Sequence, residues 1–298
     1  MKEKFGCNFM ICIACLLLII IGVTTDINAT KKYNTKKYKK NVKTIEDFAV
    51  PQLNKTKQVW IYLPPDYKKT NKSYPVLYMQ DGDQLFNTDA RRGGWQVDKT
   101  LNQLFEENKT TGVIVVGIES ADGDQRSREY NLLPLTGLVE NPQGSRYLDF
   151  LVNDLKPYID NNYRTLADRD NTGIMGSSFG GTISLAAGFK YPNLFSKVGA
   201  LSSGISPLFF RDKIYFEKKL PMKIYFDCGT KEDFCSENKD DYQLLREIGF
   251  TKEELKLVIE KGGRHNNNYW RKRFPAVFLW LFEGQSKFEK YISKVNIY

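Results

Sequence analysis

Short, continuous apolar runs, each closed by a turn signal and followed by a segment of helical spacing, constrain this chain more than any other feature. Residues 74–82 read Tyr-Pro-Val-Leu-Tyr-Met-Gln-Asp-Gly, and residues 112–118 read Gly-Val-Ile-Val-Val-Gly-Ile. Runs that are apolar throughout, rather than at alternate positions, suit strands buried on both faces, as in a parallel sheet. Residues 59–63, which alternate, and 172–175, 198–201, 223–227 and 255–259 supply further strands. Between them, 95–106, 146–163, 182–189, 239–248 and 269–282 read as helices; Leu148, Leu151, Leu155 and Ile159 share one face of the second. Strands alternating with helices, with no internal repeat, predict an α/β fold: a mostly parallel central sheet covered by helices on both faces. Sites in such sheets form where the strand ends converge on one edge.

One strand-to-helix junction carries chemistry. Gly176-Ser-Ser-Phe-Gly-Gly181 follows an apolar run and opens a helix, the setting of a nucleophile elbow. In G-x-S-x-G the central serine sits on a strained turn, with glycines two residues either side admitting close backbone neighbours. Ser178, rather than Ser177, is therefore the candidate nucleophile. A serine hydroxyl needs a base, and the chain has a single histidine, His265, in the loop Gly262-Gly-Arg-His-Asn266 between a strand and the last helix. The orienting acid belongs in a loop after a strand between the two. That points to Glu232 or Asp233, favouring Glu232, with Asp227 a more distant choice because it ends the strand itself. The developing oxyanion needs two N–H donors. The Phe179 amide, at the start of the elbow helix, is one candidate; Asp83, or its neighbour Gln84, in the turn after the 74–79 strand is the other. The polar stretch 119–145 is long enough to arch over such a site.

The net charge of +9 does not mark a nucleic-acid partner, because seven lysines and no acid fall within residues 31–43, leaving +2 for the rest. The basic character is that of a solvated tail. Residues 1–29 resemble an export signal: Lys2 and Lys4 precede an apolar stretch at 9–23, with small and polar residues up to Ala29. The expected organisation is a signal peptide at 1–29, a lysine-rich linker at 30–45, one domain at 46–285 and a tail at 286–298. The product would be secreted or periplasmic, without membrane contact after cleavage; an uncleaved signal would instead anchor it. Of five cysteines, Cys7, Cys12 and Cys15 lie in the signal segment. Cys228 and Cys235 remain, seven residues apart, and export makes a disulfide between them plausible.

The chain is similar to the Putative esterase family of α/β-hydrolases, which includes enterochelin-type siderophore esterases, S-formylglutathione hydrolases, acetyl-xylan and feruloyl esterases and mycolyl acyltransferases. The matching pieces run colinearly from about residue 46 to 284: YPVLYMQDGDQLF (74–86), GWQVD (94–98), IVVGIE (114–119), RSREY (126–130), LKPYIDNNYRT (155–165), GSSFGG, YPNLF (191–195), YFDCGTKE (225–232) and GGRHN (262–266). The resemblance implies an α/β-hydrolase fold and a Ser178–His265–Glu232 triad that works without metal or other cofactor. Asp81-Gly82 resembles the oxyanion turn of other members, with Asp in place of His. Arg126 and Glu129 are expected to pair and order the segment over the pocket, and Trp95 to line it. The expected activity is hydrolysis of carboxylic esters on small molecules or polysaccharides, with acetyl or feruloyl groups on carbohydrate ahead of a siderophore trilactone. Acyl transfer and a catalytically silent binding module are the alternatives.

Overall fold

Among the described residues, eight strands make one sheet: β1 (Val42–Val50), β2 (Lys55–Tyr62), β3 (Val76–Met79), β4 (Ile114–Ile118), β5 (Thr172–Ser177), β6 (Lys197–Leu201), β7 (Lys223–Gly229) and β8 (Leu255–Glu260). Their order across the sheet is β1-β2-β4-β3-β5-β6-β7-β8. β2 pairs antiparallel with both β1 and β4, and every pair from β4 to β8 is parallel. The computed structural model describes residues 41–86, 94–135, 137–203, 221–233 and 235–295, all within one compact unit, Tyr38–Tyr298. The expected signal, and the linker up to residue 40, lie outside the described residues.

The helices are α1 (Gly82–Leu85), α2 (Val97–Glu106), α3 (Asp124–Glu129), α4 (Gly144–Phe150), α5 (Lys156–Asn162), α6 (Phe179–Lys190), α7 (Cys235–Glu247), α8 (Asn267–Phe278) and α9 (Gln285–Val295). A π turn at Leu151–Leu155 joins α4 to α5, and another at Leu279–Glu283 follows α8. Successive strand side chains point to opposite faces. Val76, Tyr78 and Ile174 therefore enter one apolar cluster with Leu155 of the π turn, Ile159 of α5, Ile183 of α6 and Leu245 of α7. Leu77, Met79 and Met175 enter another with Leu101 of α2, Phe274 of α8 and Phe288 of α9. A sheet covered on both faces agrees with the fully apolar runs.

Two expected boundaries shift. The sheet already begins at Val42, inside the residues assigned to the linker, because β1 pairs with β2 from Val42↔Tyr62 to Val50↔Lys55. The expected tail from 286 is largely α9: Phe288 is fully buried, and Tyr291 and Ile292, at helical spacing from it, pack against the same cluster. Among the described residues, no helix is long and apolar enough to cross a membrane.

Candidate active site

Ser178 lies at the carboxyl end of β5, near the middle of the sheet, with φ 56° and ψ −134°. This conformation is strained for a residue with a side chain, at a cost of about 1–3 kcal/mol. The backbone holds it there: the Ser178 amide donates to the Leu201 carbonyl of β6 at 2.9 Å, and the Ser178 carbonyl accepts from Gly181 at 2.9 Å. Gly176 is required by close approach, since a Cβ there would stand 2.6 Å from the Gly180 carbonyl. The Phe179 amide opens α6, a helix of 12 residues, at the end where N–H groups lack intrahelical partners and the dipole favours negative charge.

The β7 and β8 ends bring the acid and the histidine together. A Cβ on Gly229 would lie 2.1 Å from the Gly263 carbonyl carbon, so only glycines let these two loops touch. Thr230 and Lys231 amides cross to Glu260 and Gly263 carbonyls at 2.9 and 3.0 Å. Across this junction, Glu232 Oε2 meets His265 Nδ1 at 3.3 Å. Of the three acids considered, Glu232 alone makes this contact; Asp233 is exposed, and Asp227 is fully buried against Arg273, Nη1 to Oδ1 2.6 Å. Cys228 and Cys235 form a disulfide, Cα–Cα 5.6 Å, that closes the loop carrying Glu232.

Glu232 is sheathed in donors. Its Oε1 accepts from the Gly229 amide at 2.8 Å and the Ser202 hydroxyl at 2.9 Å, with Arg273 Nη2 at 3.4 Å. Burial alone would raise its pKa, but His265, Ser202, Arg273 and Gly229 outweigh burial and hold the carboxyl below its ordinary value. Trp270 Nε1 donates to the Ser202 hydroxyl at 2.9 Å, and its ring stands edge-on to His265, centroids 5.1 Å apart.

The expected pairing of Arg126 with Glu129 does not occur. Arg126 grips Asp81 with both arms, Nε to Oδ1 2.6 Å and Nη2 to Oδ2 2.8 Å, and Nη2 reaches the Ser177 carbonyl at 3.4 Å. Glu129, its side chain fully buried, instead pairs with Lys55 and, at 2.7 Å, with Lys57 of β2. Three residues apart on one turn, the two side chains take different directions, one to Asp81 and the other to Lys55 and Lys57. Trp95, at 2% exposure, stands behind Trp270, centroids 6.0 Å apart, and donates to Asn267 at 3.2 Å. It braces the wall that supports His265.

Asp81 takes a left-handed conformation, φ 55°, and turns the chain from β3 into α1. The Gln84 amide is committed to the Asp81 carbonyl at 2.9 Å, which removes Gln84 as an oxyanion donor and leaves Asp83 the candidate at this turn. The Asp83 carboxylate is held by the Ser120 hydroxyl at 2.9 Å. Sequence reasoning missed Ser202, Trp270, Arg273 and the Asp81–Arg126 clamp. Among the described residues, no cluster of three or more His, Cys, Asp or Glu side chains is arranged to hold a metal.

A mostly parallel sheet whose central strand ends in a strained serine, with an acid–histidine contact at neighbouring strand ends, defines an α/β-hydrolase. The chain belongs to the family described as Putative esterase, whose model matches residues 51–281. It is 28% identical to the Bacillus subtilis protein YbbA over 238 residues, 74% of this chain and 91% of that one. It is 27% identical over 227 residues to an endo-1,4-beta-xylanase/feruloyl esterase of Xylanibacter ruminicola, covering 75% of this chain but only 29% of that longer protein. The enterobactin esterase of Shigella flexneri, solved in the presence of 2,3-dihydroxy-N-benzoyl-glycine, shares the fold with a TM-score of 0.64 and 19% identity, over 81% of this chain and 59% of that one. Family and fold together identify a carboxylic ester hydrolase.

Proposed function

We propose that this ester hydrolase works through Ser178, His265 and Glu232, and that its substrates are acetyl or feruloyl esters on carbohydrate. The observation that carries the mechanism is the Glu232–His265 contact of 3.3 Å beside a nucleophile elbow. With Nδ1–H directed to Glu232, Nε2 is the basic nitrogen. Ser178 Oγ attacks the ester carbonyl carbon while His265 Nε2 takes its proton. The carbonyl oxygen becomes an oxyanion facing the Phe179 and Asp83 amides. Collapse breaks the bond to the alcohol, which leaves with the proton from His265, and an acyl-Ser178 ester remains. Water, deprotonated by His265, attacks that ester; the acid departs and Ser178 regains its proton.

The feruloyl esterase relative supports the carbohydrate-ester reading over a siderophore trilactone. The signal-like N-terminus and the Cys228–Cys235 bridge support export to an oxidising compartment.

The test is a hydrolysis panel with the full-length protein and Ser178→Ala: p-nitrophenyl acetate, methyl ferulate, acetylated xylan and a ferric trilactone. Turnover of ferulate or xylan esters, reduced by about 10⁴-fold or more in the variant, is the expected result. Preference for the trilactone would overturn the substrate class, and undiminished turnover by Ser178→Ala would overturn the mechanism.

A further inference from the structure

Beneath the acid–histidine pair lies a buried cluster of charges that the reaction itself does not call for. Arg273 of α8 has no exposed surface. Its Nη1 meets Asp227 Oδ1 at 2.6 Å, its Nη2 meets Ser202 Oγ at 3.1 Å and Glu232 Oε1 at 3.4 Å, and its Nε faces Glu260 Oε2 at 3.4 Å. Three carboxylates thus converge on one guanidinium: Asp227 from β7, Glu232 from the loop after it and Glu260 from the end of β8. Among the described residues, the other cations that face the cluster are Lys272 of α8, 2.7 Å from Glu260, and His265 when protonated.

Buried carboxylates this close cannot all remain ionised unless a cation compensates them. A protonated Glu232 would no longer offer His265 an anionic acceptor, and the imidazolium formed during turnover would lose its support. We propose that Arg273 is a positioning residue: it neutralises the carboxylates of β7 and β8, so that Glu232 stays ionised and aimed at His265. The forked guanidinium suits this task, because its separate nitrogens reach Asp227, Glu232 and Glu260 at once. The neighbouring groups behave accordingly. Burial, opposed by Arg273, pushes Asp227 up to about 7, and Asp227 Oδ2 has no hydrogen-bond partner, so Asp227 is where a proton first settles. Glu232, which has more donors, is held down.

This inference rests on the triad reading above, and its test is separable from it. Because His265 is the sole histidine, its ring resonances are unambiguous in NMR spectra of the ¹⁵N-histidine-labelled protein. An Nδ1–H bonded to an ionised carboxylate gives a strongly downfield proton. Arg273→Met is expected to lose that signal at pH 7 and to lower kcat by about 100-fold with little change in KM, while Arg273→Lys, which keeps the charge but not the fork, restores part of both. Removing a buried charge alone threatens folding, so the decisive comparison is Asp227→Asn against Asp227→Asn/Arg273→Met, in which no orphaned Asp227 charge is left. Retention of the downfield signal and of kcat in the double variant would overturn the proposal, as would a loss of thermal stability with the His265 titration unchanged. Should Ser178 prove not to be the nucleophile, the panel above would show it, while the His265 spectrum would still report on Arg273.

Discussion

Ser202 fills three hydrogen-bonding roles with one hydroxyl: it donates to Glu232 and accepts from Trp270 and Arg273. It is fully buried and sits at φ 45°, so nothing else can replace it from solvent. Ser202→Ala strands the Trp270 N–H and removes one donor from Glu232. The expected cost is about 1–3 kcal/mol of stability and roughly tenfold in kcat at nearly constant KM, equivalent to about 1.4 kcal/mol; thermal melting and steady-state kinetics check both, and a wild-type kcat would show that Ser202 does not support the acid. The elbow at Ser178 and the meeting of Glu232 with His265 were legible in the sequence because an elbow has a glycine signature and the proposed chemistry looks for a base and an acid in loops that follow strands. Ser202, Trp270 and Arg273 were not. Arg271-Lys272-Arg273 is a run of three cations, which ordinarily face solvent, and the sequence does not tell that the third turns inward to meet carboxylates supplied by distant strands.

The loop between β7 and α7 is where local structure and the site depend on each other most. The disulfide closes it, and the Thr230 and Lys231 amides tie it to the ends of β8. In a chain-entropy account, closing so short a loop stabilises the fold by about 2–3 kcal/mol. Cys235→Ser is therefore expected to lower the melting point by several degrees, and reductant to lower esterase turnover several-fold as Glu232 gains freedom. Turnover indifferent to reductant would mean that the backbone bonds to β8 hold the acid unaided. The central strands β3 and β4 were evident as wholly apolar runs, but β1 was not, because its half-exposed V-K-T-I-E-D-F-A-V pattern is broken by a register shift between Ile45 and Phe48. α9 escaped notice for a related reason: only Phe288, Tyr291 and Ile292 mark its inner stripe, and neither their number nor its length distinguishes it from a tail.

Across the whole molecule, buried acids set a pH dependence that the net charge does not reveal. Asp227 is pushed up to about 7 by burial, and Asp241 of α7 to about 8 by burial and by Asp240 and Glu237, from an ordinary 3.8 for each. A group that holds its proton in the folded chain but not in the unfolded one makes the folded state bind more protons, so stability falls as pH rises between those values. Glu232, held low, acts oppositely and loses its contribution only as pH drops below its ordinary 4.5. Melting is therefore expected to be highest on the mildly acidic side and to decline towards pH 8. Asp241→Asn, which removes a carboxylate whose Oδ2 has no hydrogen-bond partner, should raise the melting point at pH 8 and flatten that decline; an unchanged slope would assign it elsewhere. The sheet order also bears on how the molecule comes into being. Ser178 lies on a central strand, whereas His265 and Arg273 follow β8, the last strand in the chain and an outer one in the sheet. A ribosome delivers the proposed nucleophile more than eighty residues ahead of its proposed base, at about 5–20 residues per second. On the proposed mechanism the emerging chain is thus inert for several seconds, and catalytic competence arrives only when β8 and α8 dock.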